Sequence, residues 1–348
     1  MERIALSPGY DISRVIRGGW QLAGGHGAVD RESAVDDLLA AFDAGITTFD
    51  CADIYTGVEE LHGRFRRRLH DERGTAATGR LRIHTKLVPD LDRLARVDKP
   101  AIEAIVDQSR RRLGTDRLDL VQFHWWDYEV QRYLDVVGWL GELRRAGKIN
   151  GIGLTNFDTV RTQEILASGV GIVSLQVQYS LLDRRVERAL LPLARRHGLS
   201  LFCYGTVAGG FLSERWLGRG EPHPPLENRS LTKYKLIIDD FGGWQLFQDL
   251  LAAARRVAER HGTDVATVAS RFVLDRPGVT AVIVGARNRW HLSQNVAIGS
   301  LRLTEEDKAE LGAVIARAHP IGGDFYDAER DRAGRHGSIM KYNLNAEA

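Results

Sequence analysis

An alternation runs through nearly the whole of this chain and limits what it can fold into. Short β-branched or apolar runs, each ending near a polar residue, are separated by amphipathic stretches of roughly 10–16 residues. The runs are Val15–Arg17, Ile46–Asp50, Leu81–Lys86, Leu118–His124, Ile149–Thr155, Ile172–Gln176, Leu199–Tyr204 and Thr280–Gly285, which makes eight candidate strands. Between them, Glu32–Ala44 sets Ala34, Val35, Leu38, Leu39 and Phe42 at helical spacing and stops at Gly45; Ala101–Leu113, Tyr133–Ala146 and Glu187–His197 stop in the same way at Gly114, Gly147 and Gly198. Glycine readily takes the left-handed conformation that ends a helix. Strand, helix and strand in succession imply parallel pairing, because each crossover needs a helix. An open doubly wound sheet shares that alternation. The count of eight, with no G-x-G-x-x-G after the first run, favours a closed (β/α)8 TIM barrel. Ile4–Leu6 and Ser13–Ile16 around Pro8-Gly9 read as an N-terminal β-hairpin plugging the barrel floor.

At 348 residues the length alone suggests two domains, but a barrel reaches this size as one, so residues 1–348 are expected to form a single domain. The surplus falls in long C-terminal loops. Thr206–Gly243 lacks a convincing strand and carries Trp216, Tyr234 and Phe241, with Trp244 just beyond; the tail His319–Ala348 holds Phe325, Tyr326 and Tyr342 and is expected to fold back over the body. Lys and Arg total 48 against 46 Asp and Glu, a net charge of +2, which argues against a nucleic-acid partner. Arg64–Arg68, Arg110–Arg112 and Arg184–Arg188 read as solvated helix faces beside acidic neighbours. Two cysteines, Cys51 and Cys203, make no disulfide framework, the start MERIALSPGYD has no apolar core of a signal peptide, and no run approaches a membrane span. A cytoplasmic protein without a membrane partner is expected. Neither HExxH nor CxxC spacing occurs, so no metal site is expected.

In a barrel, chemistry gathers at the C-terminal ends of the strands. Those ends hold Asp50, Lys86, His124, Thr155 with Asn156, Gln176 and Tyr204, and Tyr55 follows Asp50 by five residues. Each charge has a plain structural reading, an ion pair or a satisfied core histidine; together on neighbouring strands they form a coherent site. A tyrosine hydroxyl has a pKa of roughly 10, an adjacent ammonium favours its phenolate, and a carboxylate keeps that ammonium charged. A neutral histidine can orient a substrate oxygen by donating a hydrogen bond. Such a set suits reduction of a polarised carbonyl with a proton donor at hand.

The segments ITTFDCADIY (Ile46–Tyr55), HTK (His84–Lys86), LGTDRLDLVQFH (Leu113–His124), GKINGIGLTNF (Gly147–Phe157), QVQYSL (Gln176–Leu181) and VIVGARNRWHLSQN (Val282–Asn295), in that order, resemble the aldo-keto reductases over about residues 12–315. The resemblance implies the (β/α)8 fold, a catalytic tetrad Asp50, Tyr55, Lys86 and His124, and a nicotinamide cofactor bound without a Rossmann motif. It puts Thr155, Asn156 and Gln176 at the carboxamide, Tyr204 against the nicotinamide ring, and Gly205, Thr206, Ala208 and Gly209 along the pyrophosphate. Gly285, Arg287, His291, Gln294 and Asn295 take the adenosine-phosphate segment. A guanidinium at Arg287 suits a 2′-phosphate, so NADP(H) is expected, with NAD(H) the alternative. Two departures stand out: Thr56 separates Tyr55 from Gly57, and Trp125-Trp126 follows His124 where a smaller turn is usual, so both indoles are candidates for the substrate pocket. The resemblance implies NADPH-dependent reduction of small aldehydes or ketones. The alternatives are NAD(P)+-dependent oxidation of a sugar or alcohol and, in another class, a cofactor-sensing regulatory subunit. Nothing in the sequence sets an oligomeric state.

Overall fold

Eight parallel strands close on themselves. The computed structural model describes residues 1–345 apart from His26 and Pro320. Strands β1 (Arg3–Ser7) and β2 (Tyr10–Ser13) form an antiparallel hairpin. The barrel follows as β3 (Val15–Gly18), β4 (Thr48–Asp50), β5 (Arg82–Leu87), β6 (Leu118–Phe123), β7 (Ile149–Thr155), β8 (Ser174–Gln178), β9 (Ser200–Tyr204) and β10 (Val279–Gly285). Strand β10 pairs with both β9 and β3 and so leaves no edge. Every run read from the sequence coincides with one of these strands.

The hairpin is present, but its second arm is Tyr10–Ser13 and not Ser13–Ile16, because Val15 and Ile16 are drawn into the first barrel strand. It lies across the floor. Tyr10 and Ile12 are buried in one cluster with Ile16, Leu120, Phe202, Ala281 and Ile283. The Tyr10 hydroxyl meets His84 Nε2 at 3.1 Å, and the His84 ring stacks on Phe202 with centroids 5.5 Å apart. This apolar layer forces the polar residues of the same strands towards the opposite rim.

Helices start where a side chain can take an unpaired N–H. Asp30 accepts from Ser33 N, Asp98 from Ala101 N and Asp158 from Arg161 N, ahead of helices Arg31–Asp43, Lys99–Leu113 and Thr159–Ala167. Gly114 and Gly198 close theirs with φ of 60° and 66°. Arg64 pairs with Glu32 and Arg66 with Asp119 outside the barrel, but Arg184–Arg188 is not a wholly solvated face as expected: Arg185 is buried, held by Asp183 and Glu329. Thr206–Gly243 holds a helix, Arg229–Phe241, whose Leu231, Tyr234, Ile237, Ile238 and Phe241 join a second buried cluster with the following helix, Gly243–Arg260. Trp216 and Trp244 pack there on Phe211, at 4.8 and 6.0 Å. The described part of the tail folds back as expected, with Phe325 and Tyr326 buried; its last residues, 346–348, lie outside the description.

Glycine lets two helices touch at one point. A Cβ at Gly63, within helix Val58–Thr78, would sit 2.1 Å from the Arg112 carbonyl oxygen, whereas one at Gly138, in helix Tyr133–Arg145, meets nothing within 4 Å. Gly63→Ala should therefore lower unfolding stability by about 2 kcal/mol through overpacking. Gly138→Ala should raise it by up to about 1 kcal/mol through helix propensity. Urea denaturation of the two variants checks the contrast, and equal shifts would contradict it.

Candidate active site

Side chains two apart on a strand share a face. On β5 that pairs Lys86 with the floor residue His84, and on β6 it pairs His124, just past the strand, with Gln122. Asp50 closes β4 at the centre of this rim and is 4% exposed. Its Oδ2 accepts from Lys86 Nζ in a short ion pair, and its Oδ1 accepts from Gln122 Nε2 at 2.8 Å and Gln176 Nε2 at 2.7 Å. Lys86 Nζ also donates to the Cys51 carbonyl at 3.0 Å. Burial works against the Lys86 ammonium, but Asp50 and then Tyr55 more than offset it and hold its pKa above the ordinary lysine value.

Lys86 Nζ stands 5.1 Å from the centre of the Tyr55 ring. The loop that carries Tyr55 is tied down by Asp53, whose carboxylate accepts from Ile54 N at 2.8 Å and from Val88 N, just past β5, at 3.0 Å. Gly57, at φ 73°, then starts the next helix, and the Trp20 ring leans on Tyr55 with centroids 5.0 Å apart. Burial raises the Tyr55 pKa above the usual phenol value; Lys86 pulls against it and Asp50 adds to the rise. The lowering expected from Lys86 alone is thus outweighed by desolvation, and the hydroxyl holds its proton.

His124 Nδ1 lies 3.0 Å from the Thr155 carbonyl oxygen. A carbonyl only accepts, so the neutral ring keeps its one proton on Nδ1. Burial and then Arg330 push its pKa down to about 3, which keeps it neutral. Nε2 is left as an acceptor, buried and without a partner among the described residues. His124 therefore faces the site with a lone pair, not with the donor N–H expected from the sequence. Trp126 stands edge-on to its ring at 4.2 Å and Tyr326 at 6.1 Å.

These groups share one cavity of about 970 Å³. Asp50, Tyr55, Lys86, His124, Trp126, Thr155, Asn156, Gln176, Tyr204, Gly205, Thr206, Gly209, Gly285, His291, Gln294 and Asn295 line it. Three expected residues do not. Trp125 is wholly buried below, donating Nε1–H to the Asp127 and Val130 carbonyls at 2.9 Å, so only the second indole reaches the pocket. Ala208 is also wholly buried, turned inward by a backbone at φ 48°. Arg287 lies exposed beside Gly27, off the cavity wall.

The donor set fits a nicotinamide. Gln176 spends its Nε2 on Asp50 and Gln122, which leaves Oε1 to accept; Asn156 spends Oδ1 on the Tyr204 hydroxyl at 2.9 Å, which leaves Nδ2 to donate. One acceptor and one donor complement a primary carboxamide, and the buried Thr155 Oγ1 beside them has no partner among the described residues. Along the next wall, Gly210 has φ 102° and nothing within 4 Å of where a Cβ would be, so its backbone is bare to a ligand.

Residues 14–316 match the Aldo/keto reductase family. The chain belongs to that family. Its members are NAD(P)-dependent oxidoreductases. Aldo-keto reductase YhdN of Bacillus subtilis is 27% identical over 91% of this chain and 95% of its own length. The NADH-specific methylglyoxal reductase of Escherichia coli is 26% identical over 88% and 96%. Among solved structures, the glycerol dehydrogenase AKR11B4 of Gluconobacter oxydans superposes with a TM-score of 0.74 at 26% identity, covering 90% of this chain and 95% of its own. An aldo-keto reductase of Klebsiella pneumoniae in complex with NADPH gives 0.67 at 26%, over 90% and 93%.

For this aldo/keto reductase, sequence reading overlooked Gln122, Trp20 and Lys233, all at or beside the cavity. Gln122 was signalled by its place two residues before His124, and Trp20 by its place two residues past the first barrel strand; Lys233 lies outside the strand ends and had no such signal. No group of three His, Cys, Asp or Glu among the described residues converges as a metal site, and no helix is long and apolar enough to cross a membrane.

His62, His84 and His124 are buried and held neutral. Desolvation lowers His62 to about 4, and His84 and His124 to about 3, from 6.5. A depressed folded pKa gives stability that is complete above the unfolded value and is lost as pH falls. Each histidine should remove about 1.4 kcal/mol per pH unit below 6.5, down to its folded pKa. Urea unfolding across that window should show the decline, and His84→Phe should lessen the slope by about one proton's share. A slope unchanged by that substitution would contradict the assignment.

Proposed function

We propose that the chain works as one barrel domain that reduces the carbonyl group of a small aldehyde or ketone with NADPH, and that Tyr55 is the acid. The observation that carries this reading is the buried Asp50–Lys86 pair set against a protonated phenol and a neutral imidazole in a single cavity. Thr155, Asn156 and Gln176 would hold the carboxamide, Tyr204 would flank the ring, and Gly205, Thr206 and Gly209 would follow the pyrophosphate. Gly285, His291, Gln294 and Asn295 would line the adenosine end, with Arg287 reaching the 2′-phosphate from outside the wall. When bound, the reduced nicotinamide supplies the hydride for the carbonyl carbon.

The protein's own part is the proton. Tyr55 gives its hydroxyl proton to the carbonyl oxygen, and the phenolate it leaves behind is stabilised by the Lys86 ammonium. Asp50 positions that ammonium and is itself positioned by two glutamine amides. The new alcohol hydroxyl can then donate to His124 Nε2. Indole faces of Trp20 and Trp126 keep water from the transfer.

The acceptor state of His124 also favours the reverse reading, oxidation of an alcohol, because an alcohol brings an O–H to that lone pair. Similarity to a glycerol dehydrogenase points the same way. The two directions use the same residues, and cofactor ratio decides between them.

Tyr55→Phe should reduce kcat about a thousandfold while changing the NADPH dissociation constant less than about twofold. Stopped-flow turnover with fluorescence titration tests this, and undiminished turnover would overturn the assignment. Arg287→Ala should raise the KM for NADPH about tenfold and leave that for NADH nearly as it was. One similar chain is an NADH-specific reductase and another binds NADPH, which supports a cofactor preference set by residues that differ between such chains. Equal effects on both cofactors would remove Arg287 from the choice.

A further inference from the structure

The helix Arg229–Phe241 brings to the cavity a charge that the proton chemistry does not use. Lys233 lines the wall, its Nζ 5.4 Å from the ring centre of Tyr204, 5.6 Å from Tyr326 and 5.7 Å from Tyr234. No carboxylate or carbonyl among the described residues accepts a hydrogen bond from it. The acids whose charges act on it, Glu329 and Asp183, spend hydrogen bonds on Arg185, at 2.9 and 3.0 Å and at 2.8 Å; two carboxylates around one guanidinium leave a negative charge that balances Lys233 through space without contacting it. Burial lowers the Lys233 pKa, and Glu329 opposes this. Arg229, one helical turn earlier, lines the same cavity. Like charges at that spacing cost stability in an isolated helix, and this wall keeps them together.

Three tyrosine rings attract an ammonium but do not neutralise it. What the ammonium lacks is a hydrogen-bond acceptor among the described residues, and an anionic group on a bound molecule would supply one: on the substrate or on the cofactor's pyrophosphate. The surroundings favour the substrate. Tyr326 packs against His124, and Tyr204 hydrogen-bonds to Asn156. Through Tyr326 Lys233 reaches the end of the cavity where the proton is transferred, while Tyr234, packed on Gly205 and Gly209, borders the pyrophosphate wall, and the test below separates the two. We infer that Lys233 is a specificity residue that receives a carboxylate carried by the carbonyl substrate. This rests on the carbonyl-reduction reading given above.

The test compares 4-carboxybenzaldehyde with benzaldehyde, using NADPH and the full chain. The wild type should prefer the carboxylate, by kcat/KM, about tenfold or more, the worth of a hydrogen-bonded charge pair. Lys233→Met and Lys233→Gln should bring that ratio close to one, Lys233→Arg should keep most of it, and NADPH affinity by fluorescence titration should stay within about twofold. A ratio unchanged in the neutral variants overturns the proposal. So does weakened NADPH binding with the ratio intact, which would assign Lys233 to the pyrophosphate. A wild type that reduces both aldehydes without preference overturns Lys233 alone, whereas one that reduces neither overturns the carbonyl-reductase reading. Benzaldehyde turnover in each variant confirms that it has folded.

Discussion

The buried ion pair of Asp50 and Lys86 is the contact on which the rest of the site depends. Removing two charges from water costs several kcal/mol each, and only close geometry with further hydrogen bonds offsets the penalty. Here both oxygens of the carboxylate are used, one by the ammonium and one by the amides of Gln122 and Gln176, while the ammonium takes the Cys51 carbonyl as well. Four strands must be in register for this to happen: β4, β5, β6 and β8. Closure of the barrel and assembly of the site are therefore one event. An apolar floor of Leu120, Phe202, Ala281 and Ile283, capped by Tyr10 and Ile12, gives these strands a dry lower half and leaves the rim as the place where polarity can be satisfied.

How far the sequence reaches follows from the range of each determinant. The strands were legible because their apolar runs are local, and the tetrad because a strand end is a local landmark with chemistry attached. The helix Arg229–Phe241 was missed although Asn228 caps it and its apolar residues recur at helical spacing, since the glycine- and proline-rich stretch before it obscured the pattern. Trp125 and Trp126 look alike in sequence; which one enters the cavity depends on the turn after β6, whose carbonyls of Asp127 and Val130 capture the first indole. Ser13–Ile16 was misplaced because two partners share this short stretch: Ser13 pairs with Arg3 in the hairpin, while Val15 and Ile16 pair with Val282 and Ile283 of β10 to close the barrel. The direction of the His124 hydrogen bond was beyond reach altogether, because it is set by the Thr155 carbonyl, 31 residues away.

Electrostatics divides the cavity into two tasks. Around Tyr55 the charges are paired within the barrel, Asp50 with Lys86, and the tail reaches this group only at His124, through Arg330 and Tyr326. Around Lys233 no acceptor among the described residues takes the ammonium's hydrogen bonds, and the elements that surround it, the helix after β9 and the tail, are additions to the barrel. Sites on this fold differ in just such additions.

The tail makes this division concrete. Tyr342 sets its ring against Trp126 at 5.1 Å, its carbonyl accepts from Leu91 N, and Asn345 ties to Val88 and Asp90. Ile339, Met340, Lys341 and Leu344 thereby become part of the cavity wall. During synthesis Asp50, Tyr55, Lys86 and His124 are all made by position 124, while Ile339, Met340, Lys341 and Leu344 follow only after the whole barrel. A nascent chain that has already closed its barrel still has one side of its pocket open to solvent, so under the proposed function the means to select a substrate would be acquired after the means to transform one.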